Sequence, residues 1–123
     1  MIPNEVEVAR AAYLAGQTPD RLEAKAAVKA ALTALVERAP GRSVEVRVPP
    51  FAAVQAVAGH THRRGTPAAV VEMDAPTWLA LACGDLTWQQ GVSSGRVHAS
   101  GERSDLSEFL PLFAEPDNRS SHG

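Results

Sequence analysis

Val44, Val46 and Val48 alternate with Glu45 and Arg47, the period-two pattern of a strand with one apolar and one polar face. Upstream the period becomes helical. Asn4 and Glu7 have capping-box spacing, and Val6, Ala9 and Tyr13 share one face of a short helix that Gly16 ends. Thr18 stands as an N-cap before Pro19, and the segment to Arg38 is rich in strong helix formers. At 100° per residue, Ala24, Val28, Ala31, Leu32, Leu35 and Val36 gather on one side of it. Glu23, Ala26, Ala30, Thr33 and Glu37 gather opposite. Pro40 and Gly41 separate this helix from the strand, and Pro49 and Pro50 then remove two backbone donors, which fits a bend or a sheet edge. Phe51 to Ala58 suits either helix or strand, because its alanines favour the first while Phe51, Val54 and Val57 accept the second.

The second half is punctuated by glycine. A β-branched run from Ala68 to Glu72 stops at Asp74, a side-chain cap for a helix with Ala75 and Pro76 in its first turn and Gly84 as its left-handed stop. A further helix is expected from Asp85 to Ser93, with Trp88 and Val92 one turn apart, then a turn at Ser93, Ser94 and Gly95, and a strand from Arg96 to Ser100. After Gly101, Ser104 is placed to cap a last helix in which Leu106, Phe109, Leu110 and Phe113 fall at helical spacing. Pro111 ends that helix near Leu110.

This order of apolar helix, Gly84, amphipathic helix, Gly95, arginine-containing strand, Gly101 and leucine-rich helix resembles the C-terminal half of the sterol carrier protein-2 (SCP2-like) family. The match covers roughly the last 45 residues in spacing, and the earlier part by element order. Family order makes Phe51 to Ala58 a strand. The resemblance implies a small bacterial single-domain member with an α+β fold, a mostly antiparallel sheet of four or five strands with helices packed on one face. It further implies a cavity between sheet and helices that takes sterols, fatty acyl chains or other lipids.

With 123 residues, 45% of them hydrophobic, the chain supports one domain, expected over residues 1–113 with a flexible tail over 114–123. The net charge of −2, without a basic block, argues against nucleic acid as a partner. Cys83 is the sole cysteine, so no internal disulfide forms, which fits a reducing compartment. The first residues lack a basic n-region and a continuous apolar run, and no window approaches the ~18 apolar residues of a membrane span. The protein is therefore expected to be cytoplasmic.

Candidate chemistry is sparse. His60 and His62 would face one way on an extended segment, but two ligands do not complete a zinc site, and His98 and His122 are the remaining histidines. No metal or cofactor is expected. Cys83 ends an apolar helix, where the negative end of the dipole disfavours a thiolate, so it reads as a packed structural residue. The stretch from Gly91 to Gly95 lacks a phosphate-loop pattern and leads into a strand, and Asn118-Arg119-Ser120 matches a glycosylation acceptor that a cytoplasmic chain does not use. These features favour a non-catalytic protein, and the resemblance implies that it binds a lipid through Val54, Val57, Trp78, Leu81, Ala82, Trp88, Val92, Leu106, Phe109, Leu110 and Phe113. The alternative is a protein-interaction module of the same fold with a filled core. A hydrolase or isomerase using His60 or His62 is the third reading.

Overall fold

In the computed structural model, which describes residues 1–59, 69–101 and 104–113, the alternating valines form the central strand β1 (Val44–Val48). Val44, Val46 and Val48 are fully buried, and Arg47 faces solvent. Pro49 to Phe51 turn the chain into β2 (Ala52–Ala56), which returns antiparallel to β1 with Val46 opposite Val54. On its other side β1 pairs in parallel with β3 (Ala69–Glu72), and β3 pairs antiparallel with β4 (His98–Ser100). The order is β2-β1-β3-β4.

The fold is α+β, but the sheet is mixed and not mostly antiparallel as expected. A meander would have laid β3 against β2. Here the chain runs back along β2 and forward again along β3, and because β3 settles beside β1 the two run the same way.

Helices cover one face. Helix α1 (Asn4–Leu14) buries Val6 and Ala9, and α2 (Arg21–Arg38) buries Ala24, Ala27, Val28, Ala31, Leu32 and Leu35 against β2, α1 and α3. The predicted inner stripe of α2 holds, with Val36 half-buried at its margin. The predicted caps do not. Pro3 and Asp20 take the N-cap positions without any side-chain bond, because Asn4 already lies inside α1 and Thr18 falls two residues short of the α2 boundary. On the outer face of the sheet, Arg47 lies 3.1 Å from Glu45 and 3.9 Å from Glu72, exposed pairs that contribute little to stability.

Helix α3 (Ala75–Cys83) begins as expected: the Asp74 carboxylate accepts from the Thr77 N–H at 3.0 Å. It ends on Gly84 with φ +86, after which the Asp85 N–H returns to the Ala80 carbonyl at 2.8 Å. That closing turn uses Asp85 and Leu86, so α4 is shorter than predicted, Trp88–Ser93. Thr87 caps it in a full capping box with Gln90. The last strand is likewise trimmed from Arg96–Ser100 to His98–Ser100.

The largest correction concerns the C-terminal segment. A single 3-10 turn (Ser107–Phe109) replaces the predicted helix, and Leu110 is extended. Tertiary bonds replace helical ones: the N–H groups of Leu112 and Phe113 both donate to the Ala82 carbonyl, at 2.9 and 3.1 Å.

Candidate functional site

The left-handed turn at Gly84 swings the chain away from the axis of α3, and the capping box at Thr87 starts α4 beside it. Across this corner lies a strap, the segment from Ser104 to Phe113, pinned from behind by Arg38. One guanidinium nitrogen of Arg38 donates to the carbonyls of Phe109 and Pro111, and another to that of Leu112, each at 3.1 Å. Between the corner and the strap is a trough of about 340 Å³, open to solvent and lined by Leu81, Gly84, Leu86, Thr87, Trp88, Gln89, Ser107, Leu110 and Pro111. Among the described residues no charged side chain lines it. The Pro111 ring lies over Gly84, where an added Cβ would meet it at 3.5 Å.

The predicted ligand-binding residues separate into four groups. Leu81, Trp88 and Leu110 meet in the trough, Leu81 from within the core with only 1% of its surface exposed. Val57 and Phe109 instead line a second groove of about 540 Å³ with Arg38, Ala39, Pro40, Ala58, Asp105 and Glu108, a mixed and partly acidic surface. Trp78, Ala82, Leu106 and Phe113 are buried in the core, and Val54 packs against it from the edge strand. Trp78 is fully buried, its indole N–H directed at the Val28 carbonyl at 3.4 Å. Val92 stands 42% exposed away from both grooves, because α4 turns the small Gly91 inward against Val97.

Sequence reading missed Leu86, Thr87, Gln89, Ser107 and Pro111 as trough residues. The Thr87-x-x-Gln90 capping box was the available signal for where α4 starts, and hence for which residues border the corner.

Cys83 is half-buried at the end of α3, and that burial pushes its thiol up to about 11 despite the opposing influence of Arg10. The same Arg10 ties α1 to the corner through two bonds to Asp85, Nε to Oδ2 at 2.7 Å and Nη2 to Oδ1 at 2.9 Å. Gly91 and Val92 belong to α4, so the glycine-flanked stretch before Arg96 is a helix end and its turn. Among the described residues no group of three or more His, Cys, Asp or Glu is placed to hold a metal ion, and no helix is long and apolar enough to cross a membrane. His60, His62, His122 and the Asn118 motif lie outside the described residues.

A family model described as a bacterial SCP ortholog matches residues 20–112, which takes in α2, the whole sheet, α3, α4 and most of the strap. The chain belongs to the bacterial SCP family. The resemblance first carried by Gly84, Gly95 and Gly101 therefore extends well beyond the last third of the chain. No curated protein matches it. This bacterial SCP-family chain has its open trough inside the matched region, and its core as well apart from Val6, Ala9 and Phe113.

Proposed function

We propose that this bacterial SCP-family protein is a non-catalytic carrier that binds a single-chain lipid in the trough at the α3–α4 corner. One observation carries the reading: Leu81, Leu86, Trp88, Leu110 and Pro111, from α3, the α4 corner and the strap, converge on one concave apolar surface. Its volume of about 340 Å³ lies in the range of small-molecule sites. Burial of an alkyl chain there is favoured by roughly 25 cal/mol per Å² of apolar surface removed from water. On this reading the ligand lies at the edge of the helical layer, since the space between sheet and helices holds Trp78, Leu32, Leu35 and the β1 valines. That filled layer also favours a second reading, in which the trough takes an apolar side chain of a protein partner.

Tryptophan emission distinguishes the two. Titration with a long-chain lipid should change the emission saturably with a micromolar midpoint, corresponding to about −8 kcal/mol. Trp88→Phe should abolish the change, and Trp78→Phe should keep it, because only Trp88 borders the trough. No saturable response to any lipid class would overturn the carrier reading in favour of the interaction module.

A further inference from the structure

We infer that the trough selects lipids with an uncharged hydroxyl head, aliphatic alcohols and monoacylglycerols, over fatty acid anions; this rests on the carrier reading above. On this inference the head of a ligand chain laid on Leu81, Leu86, Trp88, Leu110 and Pro111 lies at the exposed polar residues of the lining, a rim of Thr87, Gln89 and Ser107. Those three offer hydroxyls and an amide, able to donate to or accept from another hydroxyl. Gln89 and Ser107 make no side-chain hydrogen bond among the described residues and are free to meet it.

A carboxylate finds nothing comparable. None of the nine lining residues is cationic, and the charges that adjoin the lining in sequence, Asp85 and Glu108, are both acidic. Asp85 is already paired with Arg10. Arg38 reaches the strap, but its donors go to the carbonyls of Phe109, Pro111 and Leu112, and it lines the other groove beside Asp105 and Glu108. The start of α4 offers little more, since the Thr87 and Gln90 N–H groups are engaged in the capping box at 2.9 and 3.1 Å. Among the described residues an anionic head is therefore partly desolvated with no counter-charge, and a hydroxyl head is not.

The experiment compares dodecanol with dodecanoate at neutral pH and low ionic strength, read by tryptophan emission, in the parent and in Gln89→Lys. The parent should bind dodecanol at least about tenfold more tightly than dodecanoate. Gln89→Lys puts a cation on an exposed rim position, and should tighten dodecanoate several-fold and so narrow the gap between the two lipids. Equal or tighter binding of dodecanoate by the parent overturns the inference while the carrier reading stands. A gap unchanged in Gln89→Lys also overturns it, by showing that the head does not lie at this rim. If neither lipid binds the parent, the carrier reading falls and the inference falls with it.

Discussion

Gly101 leaves β4 with φ +92, and a Cβ built there would lie 2.9 Å from the Cα of Ala69 on the neighbouring strand. Two separate costs thus meet at one residue, a left-handed backbone and a backbone clash. Gly95 separates them, because it has φ +82 and open space around it. Gly101→Val should lower unfolding free energy by about 2–3 kcal/mol, and Gly95→Val by only about 1 kcal/mol, measured by urea denaturation. Equal losses would show that Ala69 yields to the added side chain. Cys83 gives a pH dependence of known sign. Its folded thiol ionises near 11 where the ordinary value is 9.0, so its contribution is intact below about 9 and is lost as pH rises through about 11. The stability difference between the parent and Cys83→Ala should shift against the parent across that window, and alkylation of folded protein at pH 8 should lag that of the urea-unfolded chain.

Among the elements, the strap depends on Arg38 more than on any periodicity of its own. Arg38→Met keeps most of the apolar stem and removes three donated hydrogen bonds. It should cost about 1.5 kcal/mol, the low end for bonds to a charged group because the site is largely exposed. It should also speed hydrogen exchange at the Leu112 and Phe113 amides while leaving Thr77 in α3 unchanged. The same segment shows where sequence reading reached its limit. Asp74, Gly84 and the β1 valines were legible because a cap, a left-handed stop and an alternating face are settled within a few residues. Leu106, Phe109, Leu110 and Phe113 have helical spacing, yet the Ala82 carbonyl and Arg38 impose an extended path that no local pattern encodes. For the candidate site, Leu81, Trp88 and Leu110 were anticipated. Leu86 and Pro111 were not, because the trough is made by the meeting of a corner with a strap and so joins residues 25 positions apart in the chain.

For the whole molecule, the parallel ladder of β1 and β3 was hidden for the same reason: pairing partners 25 residues apart leave no trace in either strand's own alternation. That ladder carries a further consequence. Neither β1 nor β3 needs the connection after Gly59 in order to pair, since the bonds between them are made strand to strand. A cut between Gly59 and Ala69 divides the protein into an N-terminal piece holding α1, α2, β1 and β2 and a C-terminal piece holding β3, α3, α4, β4 and the strap. The seam between them is extensive: the β1–β3 ladder, α1 and α2 on α3, Arg10 on Asp85, Arg38 on the strap, and Trp78 on Val28. Each piece alone leaves an apolar face bare. Mixed, the two should reassemble by complementation and restore a near-ultraviolet signal from Trp78 that the C-terminal piece alone lacks. Failure to associate at micromolar concentration would show that covalent continuity supplies what the seam does not.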